Sequence, residues 1–276
     1  MTATVSLRGV SKNFGAVQAL IDVDLEIRSG EVLAVVGDNG AGKSTLMSVA
    51  SGSTTVSTGV LSIDGAPVKF ASPADARRHG IVASPQQLAL CDNLDVVENL
   101  YLGHETTGRM GLMDEVQMEH NARELLDSLA AKIPDVRVPV HALSGGQRRS
   151  VSIARALLGS PRVILLDEPT NALGVRQTAQ ILTLIGRLRA RGHAVVLASH
   201  SITDVLAVAD RIVVMRLGRL VAEYQAASTT VEELLGAITG ATTTLNTGSN
   251  PTVSTGAMSA VNLSRHTADG AHNAIR

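Results

Sequence analysis

Aromatic side chains are almost absent from this sequence: Phe14, Phe70, Tyr101 and Tyr224 are the only four in 276 residues, and there is no tryptophan. Four scattered rings cannot build the stacking platforms used by single-strand nucleic-acid binders. The core must therefore be aliphatic. A single cysteine, Cys91, excludes an intramolecular disulfide framework and a multi-cysteine metal site. Neither sign of charge predominates, with 24 Lys+Arg against 25 Asp+Glu and a formal net charge of -1, which argues against broad phosphate-backbone binding. Long apolar runs are missing too. Stretches such as residues 32–36 and 163–166 fall far short of the roughly 18 residues that cross a bilayer. The first fifteen residues, MTATVSLRGVSKNFG, show no charged region followed by an apolar run, so the expectation is a soluble intracellular chain without a secretory signal.

What is present is 45% hydrophobic sequence, ample for a substantial core. Residues 1 to about 70 read as strands and turns. The run 31–36 suits a buried strand, and Asp64-Gly65 between apolar residues signals a hairpin. Ser72-Pro73 marks a helix start. From about 87 to 160 the pattern turns helical. In 114–131, Val116, Met118, Ala122, Leu125, Leu126 and Leu129 fall near helical spacing, and a second helix begins at Ser144. Strands return at 163–166 and 194–198, with a helix over 175–191 between them, a unit that implies parallel pairing. Residues 240–276 are rich in Thr, Ser, Asn, Gly and Ala without sustained periodicity and read as an unstructured tail.

Gly37-Asp38-Asn39-Gly40-Ala41-Gly42-Lys43-Ser44, continued by Thr45, matches G-x-x-x-x-G-K-[ST] directly after a buried strand and before a helix. Glycines let successive backbone N–H groups converge on phosphate oxygens, and the helix N-terminus adds favourable partial charge. In this reading Lys43 reaches the β- and γ-phosphates, and the Ser44 hydroxyl ligates Mg²⁺. A second apolar strand ends in Asp167-Glu168. Asp167 suits the Mg²⁺ shell and Glu168 suits a general base for an attacking water.

Leu143-Ser144-Gly145-Gly146-Gln147 lies about twenty residues before that acidic pair. In this order relative to the other motifs, the pentapeptide resembles the signature of ATP-binding cassette (ABC) ATPases. Physically it is a second anion site at a helix start. The resemblance covers residues 5 to about 225. It implies an α/β fold: a RecA-like P-loop core, an antiparallel β subdomain and an inserted α-helical subdomain at about 87–160, all within a domain of residues 1–239. It also implies that the signature serves the γ-phosphate held by a second subunit, so that two ATP molecules are sandwiched in a head-to-tail dimer.

Further positions follow from the resemblance. Gln86 stands where the family's glutamine touches metal and water, with Gln87 as the neighbouring alternative. His200 matches the histidine that contacts the γ-phosphate. Phe14 matches the aromatic that stacks on adenine, a core phenylalanine being its alternative. One departure stands out: Asn171-Ala172-Leu173-Gly174 lacks the aspartate that usually closes this loop. Arg148 and Arg149 read as a solvated helix face without chemistry.

The stretch 88–103, Lys132-Ile133-Pro134 and Ala172-Leu173-Gly174-Val175 are similar to those of ribose/fructose-type monosaccharide importers. The implied function is ATP hydrolysis that powers monosaccharide uptake. The implied setting is a homodimer, or a heterodimer with another cassette, at the cytoplasmic face of the membrane. It would sit on a sugar permease, with a substrate-binding protein outside and no nucleic acid involved. In the family, the 88–103 stretch helps form the groove that receives the permease. A soluble non-transport cassette ATPase, or an export or lipid-transport subunit, is the alternative.

Overall fold

In the computed structural model, described over residues 3–108 and 111–241, two sheets share a chain that crosses between them. The first is antiparallel. It contains β1 (Ala3–Phe14), β2 (Val17–Arg28), β4 (Thr58–Ile63) and β5 (Ala66–Val68), in the order β2-β1-β4-β5. The Asp64-Gly65 turn joins β4 to β5, as the dipeptide predicts. The hairpin β1–β2 pairs two strands of twelve residues each. Register shifts along it mark irregularities that obscure a period of two.

The second sheet has six strands in the order β10-β9-β3-β8-β7-β6. β3 (Val32–Val36), β6 (Ile81–Ser84), β7 (Val163–Asp167), β8 (Ala194–Ala198) and β9 (Arg211–Arg216) run parallel, while β10 (Arg219–Gln225) returns antiparallel at the edge. Strand periodicity divides the core. Leu33, Val35, Leu165, Val196 and Val213 face the antiparallel sheet together with Leu46 of α1 (Lys43–Ala50). Ala34, Val36, Ile164, Leu166, Val195, Leu197 and Val214 face the opposite way, toward the helices.

α2 (Pro73–Arg78) is capped by Ser72 with Pro73 at its first position. Between β6 and its neighbour β7 come α3 (Val96–Tyr101), α4 (Glu115–Ser128) and α5 (Gly145–Leu157). α6 (Val175–Ala190), α7 (Ile202–Val208) and α8 (Val231–Thr239) complete the α-helices of the described residues. Met118, Ala122 and Leu126 of α4 are buried as their spacing predicts, but Val116 is 81% exposed. It lies in the first turn, two positions from Met118 and so on another face of the helix. α8 ends at Thr239 with Gly240 in left-handed conformation as its C-cap. The proposed tail, 240–276, lies outside the described residues beyond position 241.

Candidate nucleotide site

Parallel strands collect their carboxyl-terminal loops at one edge, where open α/β sheets bind ligands. β3 delivers Gly37, β6 delivers Gln86, β7 delivers Asp167 and Glu168, and β8 delivers His200. The loop after β3 is shaped by two glycines, Gly37 and Gly42, that leave no room for a side chain. A Cβ on Gly37 would stand 2.2 Å from the Met215 carbonyl oxygen, and one on Gly42 would stand 2.7 Å from that of Ala19. Gly42 caps α1 in left-handed conformation without any side-chain bond, so the amides of the helix start face the cleft uncapped. Lys43 is 7% exposed, and its Nζ donates to the carbonyls of Gly37 at 2.7 Å and Asp38 at 3.0 Å. The ammonium thus stands in the middle of the loop that would wrap phosphate.

The resulting cleft has a volume of about 620 Å³. Gly37, Asp38, Asn39, Gly40, Gly42, Lys43, Ser44 and Thr45 line it together with Gln86, Glu168 and His200. Ala41 is buried beneath the loop instead, 5% exposed. Gln86 reaches the cleft. Gln87 lines only a neighbouring cavity of about 470 Å³, which Gln86 shares. Phe14 does not line the cleft: it is 52% exposed, with the Lys12 ammonium 4.9 Å from its ring centroid. That exposure also excludes the core reading. Its cross-strand partner Val17 does line the cleft, so the ring stands next to the wall rather than in it.

Glu168 adopts a left-handed backbone, φ 48°, a conformation that costs a bulky residue roughly 1–3 kcal/mol. Its N–H donates to the Ala198 carbonyl at 2.9 Å, and its Oε2 lies 2.7 Å from His200 Nδ1. Asp167 has a buried Oδ1 without a hydrogen-bond partner. Burial pushes its carboxyl above the usual aspartate range and the Glu168 charge adds to that. The Ser44 hydroxyl and the charges of Lys43 and Arg149 oppose the rise.

Among the described residues there is no cluster of three or more His, Cys, Asp or Glu side chains able to hold a metal alone. A Mg²⁺ bound with a nucleotide needs only one or two protein oxygens, because phosphates and waters fill the rest. The orphaned Asp167 oxygen beside the Ser44 hydroxyl fits that requirement.

The signature residues lie elsewhere in the chain's own surface. Ser144 caps α5: its Oγ accepts from the Gln147 N–H at 3.3 Å, and Gln147 Oε1 accepts from the Ser144 N–H at 2.9 Å. Leu143 is the buried anchor, 5% exposed, and Gly146 packs so closely on Gln177 that a Cβ would meet it at 2.9 Å. Gly145 lines the 470 Å³ cavity, and none of the five lines the nucleotide cleft.

Two features escape the sequence reading. Asn171, Ile202, Leu235 and Ile238 line the cleft, the last two from α8 far along the chain, where no local motif announces them. Arg149 is not a solvated residue: it is 6% exposed and donates to the backbone of the Gln86 loop. Adjacent arginines look alike in sequence. The helical turn places Arg149 inward while Arg148 stays half-buried.

A glycine loop between strand and helix, a buried lysine inside it and two acidic residues at the end of β7 define a P-loop nucleotide-binding cassette. The family model described as ABC transporter matches residues 20–171. The chain belongs to the ABC transporter family and is an ATPase of the ATP-binding cassette class. It is 42% identical over 239 residues to the xylose/arabinose import ATP-binding protein XylG of Sulfolobus acidocaldarius, covering 87% of this chain and 95% of that one. It is 40% identical to the fructose import ATP-binding protein FrcA of Rhizobium meliloti, covering 86% and 94%. Against the ribose import ATP-binding protein RbsA 2 of Rubrobacter xylanophilus it is 42% identical but spans only 45% of that longer relative. The ADP conformation of MJ1267, an ATP-binding cassette of an ABC transporter, superposes with a TM-score of 0.75 at 26% identity, covering 87% of this chain and 96% of that one. The dimeric cassette MJ0796 gives 0.69 at 28%, covering 80% and 98%.

Proposed function

We propose that this chain hydrolyses ATP as the energy-supplying subunit of a monosaccharide importer, docked on the cytoplasmic face of a membrane permease. The observation that carries the reading is likeness over nearly the whole length to two single-cassette relatives named for import of xylose/arabinose and of fructose. Among the described residues no helix is long and apolar enough to cross a membrane, so a partner supplies the pathway. The candidate for the docking groove that the resemblance implies is a cavity of about 400 Å³, to which the 88–103 stretch contributes Tyr101 beside Arg77, Val82, His104 and Leu158.

The chemistry follows from the cleft. The amides of the 37–44 loop and the start of α1 bind the phosphates, and Lys43 exchanges its carbonyl partners for phosphate oxygens. Ser44, Asp167 and Gln86 would hold Mg²⁺, which supplies positive charge against the β- and γ-phosphates. Glu168 takes the proton of the attacking water, and His200, bonded to the same carboxylate, orients it and reaches toward the γ-phosphate. Phe14, set beside Val17 at the cleft's edge, offers a ring to adenine. None of Leu143, Ser144, Gly145, Gly146 and Gln147 lines the cleft of its own chain. This supports a role across a dimer, where each signature closes the other cassette's γ-phosphate site. Hydrolysis removes that bridging group and lets the two copies part.

The test is sugar uptake into vesicles that hold a monosaccharide permease and its binding protein. Uptake that depends on this chain and is lost with Lys43→Ala supports the reading. ATP-dependent efflux instead, or hydrolysis indifferent to any permease, overturns it.

A further inference from the structure

Arg149 is a guanidinium taken out of water, and its hydrogen-bond partners are main-chain oxygens. Nη1 donates to the Pro85 carbonyl at 3.0 Å and Nη2 to the Gln86 carbonyl at 2.9 Å. One turn further along α5, Ser152 Oγ lies 3.1 Å from Ser84 Oγ. Three consecutive residues, 84 to 86, are therefore tied to one face of the helix that the signature begins. Burial pushes the guanidinium down from its usual value, and the Asp167 carboxylate is the charge that opposes this. A buried charge of this kind is costly unless its surroundings are fixed around it.

We infer that Arg149 is a positioning residue: its planar fork clamps the backbone of the Gln86 loop to the signature helix, so that the helix start at Ser144 and the Gln86 side chain in the cleft move as one body. The planar fork aims two N–H groups at two successive carbonyls in fixed directions, whereas a lysine keeps the charge on a flexible stem that fixes neither direction. Gln86 lines both the nucleotide cleft and the cavity containing Gly145 and Arg149, so the clamped segment is the physical link between the two. The role assigned to Gln86 rests on the reading of the cleft as an ATP-hydrolysing site. The clamp itself does not.

The experiment compares the full chain with Arg149→Lys and Arg149→Met. Hydrogen exchange is read without nucleotide, ATP affinity is read without magnesium, and turnover is read with it. The clamp predicts that the β6 amides 82–84, paired with β7, and the Cys91 amide, which donates to Asn99 Oδ1, lose protection in the methionine variant and lose less in the lysine variant. It also predicts that magnesium-free ATP affinity holds within about 2-fold, since the 37–44 loop is untouched. The rate constant kcat should fall about 10- to 100-fold in the methionine variant and less in the lysine variant, because small misplacements of a positioned group are costly. If the methionine variant fails to fold, the lysine variant carries the same readouts. Unchanged exchange at 82–84 and at Cys91, or loosening spread evenly over α5 and the rest of the chain, overturns the proposal whatever happens to turnover. A Glu168→Gln control separates the two claims: wild-type turnover in that variant would overturn the reading of the cleft while the exchange data still judge the clamp.

Discussion

His200 Nδ1 and Glu168 Oε2 stand 2.7 Å apart across the ends of two neighbouring parallel strands. The pairing is unequal, because the histidine side chain is 57% exposed and the glutamate only 11%. A solvated group thus holds a buried one, whose backbone already sits in left-handed conformation. In the proposed mechanism this pairing is what holds the carboxylate for the attacking water.

His200→Ala should therefore cost turnover rather than binding. We expect kcat to fall about 100-fold, in the range typical for loss of one proton-handling group, with ATP affinity little changed. Steady-state phosphate release alongside equilibrium nucleotide binding checks this. A raised KM with unchanged kcat would contradict it.

Arg211, 2% exposed, is held by Glu31 at 2.7 and 3.0 Å and by Glu223 at 3.1 Å, joining β9, β10 and the entry to β3. Removing one member of such a group leaves a buried charge uncompensated, at a cost of roughly 3–5 kcal/mol. Glu31→Gln should lower unfolding stability by about 3 kcal/mol, while the double change Glu31→Leu with Arg211→Met should recover most of it. Urea unfolding of the three proteins decides the point.

Gly174 caps α6 with φ -73°, and a Cβ built there meets nothing within 4 Å. An aspartate fits this position, would cap the helix and would favour its dipole, together worth about 0.3–1 kcal/mol. Gly174→Asp should raise Tm by about 1–3 °C, read by calorimetry. No change, or a fall, would mean that the loop's backbone resists the cap.

Acid should loosen the periphery first. Hydrogen bonds from Arg28 hold Glu26 below its ordinary value, Arg162 does so for Asp64, and Arg123 with Arg137 does so for Glu119. Depressed carboxyls stabilise the fold fully above their unfolded values, 4.5 for the glutamates and 3.8 for the aspartate, and that contribution is lost as pH falls through the lower folded values. The urea midpoint should stay level down to about pH 5 and decline below about pH 4. In Arg162→Ala the decline should be shallower, because Asp64 loses its partner.

How much of this was legible beforehand depends on range. Gly37 to Ser44, Asp167-Glu168 and Ser144 with its capping partner Gln147 carry their geometry in local spacing, and their elements formed where the patterns placed them. The parallel pairing of β7 and β8 followed from the helix between them. Long-range packing left no such trace. Nothing around Leu235 or Ile238 indicates that α8 folds back to wall the cleft, and the inward turn of Arg149 depends on a loop sixty residues away. Val116 and Phe14 show the converse. Each matches a pattern by position, yet one stands exposed on its helix and the other beside the cleft rather than in it.

The central claim is that ATP, bound in this cleft, holds two cassettes together until it is cleaved. Light scattering of purified Glu168→Gln with magnesium and ATP tests it most directly. The account predicts that the mass doubles on adding ATP, stays doubled for lack of hydrolysis, and does not double with ADP or in Ser144→Arg, which blocks the signature. A protein that stays monomeric with ATP, or pairs equally well with ADP, would contradict it.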